Sequence, residues 1–174
     1  AASRKNLVAE KIVERLTGKI EVGFTSAAMQ WGHDNESGAA DLYKFERGGD
    51  LQQIGIAVHD EIDGLRGSPD RLVGDDGLLE IKCPNSAQHI TMLTTKKVDR
   101  DYEWQIHGLL VFTGRKWCDF VSYDPRCPAE MNLFVVRYER DETTIRDIIN
   151  EAERFLKEVD DKVKALGKEF GIAA

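Results

Sequence analysis

Two carboxylates and one amine on a predicted β-hairpin are the residues of this chain whose types and spacing best suit chemistry. Asp70 precedes a turn-rich segment, and Glu80 and Lys82 lie on the apolar run 78–83 that follows it. The intervening Gly-Asp-Asp-Gly, residues 74–77, predicts a tight turn, because Gly and Asp tolerate positive φ angles. Side chains on a strand alternate between its faces, so Glu80 and Lys82 share one face. We therefore expect the three groups to converge on a site for a divalent metal and an activated water.

The chemistry that such a site suits is phosphodiester hydrolysis. Magnesium prefers oxygen ligands and keeps several waters, so two carboxylates and a backbone carbonyl make a plausible site for it. A metal lowers the pKa of a bound water and neutralises charge that builds on a phosphate. Lys82 can orient that water or steady the phosphate. Glu36 could add a carboxylate, and Gln105 could donate a hydrogen bond to the water or to a phosphate oxygen.

A purely structural interpretation of the same residues is also available. Glu-x-Lys occurs on ordinary exposed strands, because Glu and Lys commonly pair across a sheet face. The turn between the acids, the apolar flank of the second arm and Pro84 directly after it favour the functional interpretation. Glu36 shares a helix face with Ala39, Ala40 and Tyr43, where an acid calls for a partner cation or a partly exposed rim.

Periodicity predicts the elements that must position these residues. Predicted helices cover 6–16, 27–45, 87–94, 101–112 and a terminal segment around 145–166, which we expect to bury one stripe against the sheet. Predicted strands cover 53–58, an arm from Leu65, 78–83, 117–123 and 133–138, the first three as a meander. This order predicts a mixed α/β fold in which helices flank a central sheet.

Composition sets broad limits. The chain has 174 residues, of which 41% are hydrophobic and 32% charged, and this predicts one globular domain over residues 1–174. A net charge of -7 argues weakly against a nonspecific nucleic-acid coat but is compatible with a local basic groove. Three cysteines without a CxxC pair indicate neither a disulfide framework nor a zinc site. Without a long apolar run or a leader, we expect no membrane segment and a cytoplasmic location.

Several cations could line such a groove or could form an ordinary solvated face; they are Lys96, Lys97, Arg100, Arg115, Lys116, Arg137 and Arg140.

Four sequence segments resemble those of one nuclease family. Ser68-Pro69-Asp70 with Leu79-Glu80-Ile81-Lys82-Cys83-Pro84 resembles the PD-(D/E)XK signature in the form used by the phage lambda-type exonucleases, also called the YqaJ-type viral recombinases. Three further segments resemble elements of that family: Trp31-Gly32 with Glu36, Gln105, and Ser122-Tyr123-Asp124-Pro125-Arg126. The resemblance spans roughly residues 28 to 140 and implies a restriction-endonuclease-like fold with a central mixed sheet flanked by helices.

The resemblance also implies roles for individual residues. Asp70, Glu80 and the Ile81 carbonyl would bind Mg²⁺, with Mn²⁺ as a substitute, and Lys82 would be the catalytic lysine. Glu36 would lie at the edge of the metal site and Gln105 would assist it. Ser68 would lie near the 5′-phosphate of the substrate, and Arg71 is a candidate phosphate contact.

The implied activity is 5′→3′ digestion of one strand of duplex DNA from its ends. The implied enzyme is a ring-shaped homotrimer in the cytoplasm of a bacterial host cell, working with a phage single-strand annealing protein in recombination. Relatives carry an upstream segment with Arg and Ser or Thr residues that help to bind the 5′-phosphate, and we find no such segment in this sequence.

Two alternatives remain open at this point. One is a PD-(D/E)XK endonuclease or repair nuclease with a different DNA-structure specificity, although an iron–sulfur version would need four cysteines. The other is a catalytically silent DNA-binding or assembly subunit. The intact set of Asp70, Glu80 and Lys82 argues against that second alternative, because holding such charges together has an electrostatic cost.

Overall fold

The computed structural model describes residues 2–20, 23 and 25–171. The chain divides into two compact units, one made of Ala1–Phe24 with Ile149–Ala174 and the other of Thr25–Ile148. The prediction of a single nuclease domain over residues 1–174 stays a prediction. The larger unit contains every residue of the predicted site.

The helices and strands follow the predicted order. The helices are α1 (Ala2–Thr17), α2 (Ala27–Arg47), α3 (Ser86–Thr95), α4 (Arg100–Thr113) and α5 (Glu142–Phe170). The strands are β1 (Leu51–Gln52), β2 (Ala57–Val58), β3 (Arg66–Gly67), β4 (Arg71–Val73), β5 (Gly77–Lys82), β6 (Trp117–Tyr123) and β7 (Leu133–Glu139).

A five-stranded mixed sheet forms the centre of the larger unit. Its order is β1-β4-β5-β6-β7, with β5 and β6 parallel and the other neighbours antiparallel. The parallel pair is connected through α3 and α4, as a parallel connection requires a crossover. The predicted mixed α/β architecture is therefore confirmed.

The predicted hairpin is formed by β4 and β5. Val73 pairs with Gly77 across the turn, and Gly74 has φ +52°, the left-handed conformation that the Gly-Asp-Asp-Gly pattern predicts. All of β5 is buried except Lys82 at its end, because β4 and β6 cover its two edges and helices cover its faces. The strand that carries Glu80 is thus a central element of the sheet.

The two faces of the sheet contact different helices. On one face, Leu79, Ile81 and Val121 pack in a core cluster with residues of α2, namely Ala39, Ala40 and Tyr43. On the other face, Phe120 stacks against Tyr102 of α4, and Ser122 bonds to His89 of α3. Glu80 is the register partner of Phe120 and therefore faces α4.

The expected meander of three strands is wrong. Of the run 53–58, only residues 57–58 form a strand, β2, which pairs with β3 in a separate two-stranded sheet; β1 lies before the run and joins the main sheet beside β4. A glycine inside a strand pattern has no side chain to pack and weakens the strand, which explains the interruption.

The smaller unit is built by α1 and the part of α5 after Ile148. The expectation that the terminal helix buries its stripe against the sheet does not describe this part of α5: Val159 and Val163 instead form a core cluster with Val8. The N-terminal helix offers its own apolar stripe at three- and four-residue spacing, so the two amphipathic helices cover one another. Arg4 pairs with Glu151 at 3.3 Å alongside this cluster.

None of the helices in the described ranges is both long enough and apolar enough to span a membrane.

Candidate active site

Glu80 is the central residue of the predicted site. It lies in the middle of β5 and is only 2% exposed. Its Oε1 accepts hydrogen bonds from Nζ of Lys82 at 2.5 Å and from Nε2 of Gln105 at 2.6 Å. Its Oε2 is buried and has no hydrogen-bond partner among the described residues. One oxygen of the carboxylate therefore accepts two hydrogen bonds, while the other accepts none from the described residues.

Asp70 is fixed to the same strand through the backbone. Its Oδ2 accepts a hydrogen bond of 2.6 Å from the amide of Ile81, the residue between Glu80 and Lys82. This bond attaches the residue before β4 to the end of β5 and brings the two acids to adjacent positions. Burial raises the pKa of Asp70, and the bond from the Ile81 amide opposes that rise.

The charges at this site strongly affect one another. Burial, followed by the nearby Asp70, raises the pKa of Glu80 to about 7. For Lys82, burial lowers the pKa, but the Glu80 carboxylate beside its amine outweighs that effect, so the net pKa is raised. Lys82 is therefore an ammonium group that donates to Glu80, and it cannot act as a base while it keeps that proton.

Glu36 reaches the site from α2, and Arg71 accompanies it. Nη1 of Arg71 donates to Oε1 of Glu36 at 2.7 Å and to the carbonyl oxygen of Asp70 at 2.5 Å. The side chains of Arg71 and Glu36 are 11% and 27% exposed. The structure contains both explanations offered for an acid on this helix face, a partner cation and a partly exposed position.

Glu36, Asp70 and Lys82 line a cleft of about 590 Å³, and other side chains of its lining were not assigned to the site from the sequence. Tyr102 lies one turn before Gln105 on α4, and Nζ of Lys82 is 5.6 Å from its ring centroid. Arg126 and Trp31 also line the cleft, and the guanidinium carbon of Arg126 lies over the Trp31 ring, 4.4 Å from its centroid. The helical spacing of Tyr102 and Gln105 was the signal that could have identified the tyrosine.

Arg126 is held by several contacts. It forms a two-bond pair with Asp124, which is fully buried, and donates to the carbonyl oxygen of Pro84. The hydrogen bond from Arg126 is the main cause that lowers the pKa of Asp124 to about 2. These contacts join the loop after β6 to the end of β5, directly beside the predicted catalytic residues.

The two residues predicted to contact phosphate, Ser68 and Arg71, form hydrogen bonds within the protein. Ser68 is exposed and its Oγ donates to the carbonyl oxygen of Gly55 at 3.2 Å. Arg71 is turned toward Glu36 as described above. Their binding of phosphate stays a prediction.

Several of the candidate channel cations have structural partners, namely Arg115 with two backbone carbonyls, Lys116 with Asp76, Arg137 with Asp119, and Arg140 with the Leu110 carbonyl and Glu142.

Within the described parts of the chain, no three His, Cys, Asp or Glu side chains are grouped closely enough to form a metal site. The amine of Lys82 and the guanidinium of Arg71 lie against two of the three carboxylates instead. The residues nevertheless fit a divalent cation. Glu80 presents a buried oxygen without a donor near the carboxylate of Asp70, and two neighbouring buried acids are stabilised by a hard cation.

Solved structures of exonucleases are similar to this chain. The chain is similar to an alkaline exonuclease from Laribacter hongkongensis, with 43% sequence identity, a TM-score of 0.93, and coverage of 98% of this chain and 87% of that one. A second structure of that exonuclease, in complex with dAMP, matches with the same values. A phage-related exonuclease from Haemophilus somnus 129PT shares the fold at a TM-score of 0.74 and 18% identity, over 93% of this chain and 83% of that one. A search of curated proteins gives no match.

The mixed sheet, its helices and these structural relatives define a nuclease fold of the PD-(D/E)XK type. The chain belongs to the family of YqaJ-like viral recombinase domains, whose model matches residues 2–116. It is accordingly a deoxyribonuclease, a hydrolase of phosphodiester bonds with a role in recombination. The resemblance read from the sequence motifs is confirmed.

Proposed function

We propose that this chain is a Mg²⁺-dependent exonuclease that digests one strand of double-stranded DNA in the 5′→3′ direction. The observation that carries the proposal is the arrangement at Glu80, a buried carboxylate that accepts from Lys82 and Gln105 on one oxygen and keeps the other open beside Asp70. This arrangement offers a cation position and an ammonium group on the wall of a cleft.

Each residue has a role in this proposal. Asp70, Glu80 and the carbonyl oxygen of Ile81 would bind the metal, and Glu36 would lie at the edge of that site. The metal, when bound, supplies a water of lowered pKa and positive charge next to the scissile phosphate. Mn²⁺ is a chemically similar substitute for Mg²⁺ in a site of oxygen ligands.

Lys82 would orient the attacking water and stabilise negative charge on the phosphate, since it is held as an ammonium group by Glu80. Gln105 would fix the orientation of the Glu80 carboxylate from α4. Its amide replaces solvent as the second donor to this oxygen, so the carboxylate is already oriented before substrate binds.

The substrate assignment rests on the relatives and on the cleft. The similar exonuclease from Laribacter hongkongensis has been solved with dAMP, a mononucleotide of the kind that stepwise digestion releases. Ser68 and Arg71 are the proposed contacts to the phosphate of the 5′ end. We further propose a homotrimer that acts on DNA ends in the cytoplasm of a bacterial host cell, with a phage annealing protein as its partner in recombination.

The test uses three DNA substrates: linear duplexes with a 5′-phosphate or a 5′-hydroxyl, and a closed circle. We expect Mg²⁺-dependent release of nucleotides from the linear duplexes, faster from the 5′-phosphate, and none from the circle. Cleavage of the circle would identify an endonuclease of the same fold. DNA binding without release from any substrate would identify a silent binding subunit. Light scattering of the protein in solution tests the trimer.

A further inference from the structure

Arg126 is a cation of the cleft wall that has no role in the hydrolysis proposed above. It follows β6 in the chain and lines the cleft together with Lys82 and Trp31. Its Nη2 donates to the carbonyl oxygen of Pro84 at 3.3 Å. Pro84 is two residues beyond Lys82, and two residues of extended chain span at most about 7 Å. The guanidinium is therefore attached to the backbone just beyond the proposed catalytic lysine.

Two further contacts fix the position of this guanidinium. Its Nε and Nη2 donate to the two carboxylate oxygens of Asp124 at 2.7 Å and 3.0 Å. Its carbon lies over the ring of Trp31, 4.4 Å from the ring centroid. A guanidinium that is already held by a two-bond pair and by an aromatic ring loses little further freedom when it binds a ligand.

Only the positive member of the Asp124–Arg126 pair is exposed. Asp124 is fully buried, whereas 48% of the Arg126 side chain is exposed. The hydrogen bond from Arg126 lowers the pKa of Asp124 to about 2, so the pair stays charged at neutral pH. Nη1 of Arg126 makes no hydrogen bond to the residues that the structure describes. One terminal nitrogen of a fixed cation is thus available to an anion in the cleft.

The anion that enters the cleft of a deoxyribonuclease is the backbone of DNA. Each nucleotide of a strand carries one phosphate, so a strand with its scissile phosphate at Lys82 places further phosphates along the adjoining wall. We propose that Arg126 binds a phosphate next to the scissile one through its Nη1, while Asp124 and Trp31 hold the guanidinium in place. The proposal rests on the proposed position of the scissile phosphate and adds a substrate-positioning contact to it.

The experiment measures equilibrium binding of a linear duplex to the full chain by fluorescence anisotropy. It is done in EDTA, so that the DNA is not cut, over KCl concentrations from about 50 to about 200 mM. Each phosphate contact adds about 0.7 to 0.9 to the steepness with which log K falls with log[salt]. Arg126→Ala should weaken binding and lower the steepness by about that amount. Arg126→Lys keeps the charge and should keep the steepness.

A second neutral variant separates the phosphate contact from the structural role of the ion pair. Asp124→Asn/Arg126→Gln leaves no buried carboxylate without a partner, so it serves if Arg126→Ala does not fold. It should show the same decrease in steepness. Circular dichroism checks that each variant is folded, since a purely structural role would alter the fold without removing one phosphate contact.

Arg154→Ala is the matched control. Arg154 also pairs with an acid, Glu151, at 3.3 Å, but its side chain is 72% exposed on α5. This variant should keep both the affinity and the salt dependence of the wild type. An equal decrease in steepness for Arg154→Ala would show an effect of overall charge and would overturn the proposal.

The contact and the proposed function can fail separately. An unchanged steepness in both neutral variants of Arg126 would overturn the contact, and so would a wild-type chain that does not bind the duplex. Mg²⁺-dependent release of nucleotides together with an unchanged steepness keeps the function and rejects the contact. The expected decrease in a chain that releases no nucleotides keeps the contact and rejects the exonuclease.

Discussion

Lys82 and Gln105 donate hydrogen bonds to the same oxygen atom of Glu80, Lys82 from the same strand and Gln105 from α4. The two donors fix the plane of the carboxylate and direct its second oxygen toward a position with no donor in the described chain. A helix and a strand thus define the orientation of one acid.

Replacement of Lys82 by Ala should lower the rate of nucleotide release by about 100-fold or more, because positioned acid–base and charge-stabilising groups contribute on that scale. Lys82 lines the cleft, so this substitution removes an ammonium group from the cleft wall. Initial rates on a linear duplex measure the effect. DNA binding and the circular dichroism spectrum should be retained.

Lys157→Ala is the matched control, because Lys157 also pairs with an acid, Asp161, but on the exposed surface. Its rate should equal that of the wild type. If Lys82→Ala keeps full activity, Lys82 has no part in the mechanism.

Gln105→Ala should lower the catalytic rate roughly 10- to 100-fold, the equivalent of one hydrogen bond to a charged group of about 1.5 to 3 kcal/mol. The carboxylate of Glu80 would lose one of its two donors and with it a defined orientation. The loss should appear mainly in kcat, since Gln105 does not have to touch the DNA for this role.

Gln30→Ala serves as the control, because the Gln30 amide makes an equivalent bond to Asp34 on the exposed side of α2. A change in KM alone for Gln105→Ala would point to substrate binding instead of orientation of Glu80.

Much of the hairpin could be predicted from local sequence. The Gly-Asp-Asp-Gly turn and the alternation after it determine that β4 pairs with β5 and that Glu80 and Lys82 share a face. The turn residues adopt their conformation for local reasons, and the apolar positions of β5 leave one face for polar groups. The strands β6 and β7 were predictable for the same reason.

Contacts between segments that are distant in the sequence could not be predicted from it. Glu36 and Arg71 are 35 residues apart, and no periodic pattern indicates that one neutralises the other. That residues 51–52 pair in the main sheet and residues 57–58 in a separate one depends on which neighbour each short strand finds, which Gly55 alone does not determine. The packing partner of α5 could not be predicted, because an amphipathic stripe shows that one face of a helix is buried but does not identify the element that buries it.

The stability of the metal-free chain should depend on pH through Glu80. Burial raises the pKa of this carboxyl from its usual range to about 7. Between these values the folded state keeps a proton that the unfolded state has lost, so the free energy of unfolding should fall as the pH rises through this range. Denaturation in EDTA from about pH 5 to about pH 8 measures the trend.

Glu80→Gln removes the ionisable group and keeps its shape. Its stability relative to the wild type should increase as the pH rises toward 8, because only the wild type must then ionise a buried carboxyl whose pKa is raised. Parallel pH profiles for the two proteins would contradict the assignment of the raised pKa to Glu80.

Gly77 at the start of β5 should not tolerate a side chain. A Cβ at this position would lie 2.2 Å from ring carbons of Trp117, and the guanidinium of Arg137 packs on that ring at 3.6 Å from its centroid. Since Arg137 is itself bound to the buried Asp119 by two hydrogen bonds, the ring cannot easily move away. Gly77→Ala should therefore cost about 1 to 3 kcal/mol of stability, as overpacked cores do.

Gly38→Ala is the control for Gly77→Ala. Gly38 lies inside α2, and a Cβ there would meet the Tyr123 side chain at 3.7 Å, an ordinary contact, while the helix gains the better propensity of Ala. We expect an unchanged or higher Tm for this variant and a Tm lower by about 2 to 10 °C for Gly77→Ala. Equal Tm values would mean that Trp117 and Arg137 can yield, and that their stacking does not hold the edge of β5 in place.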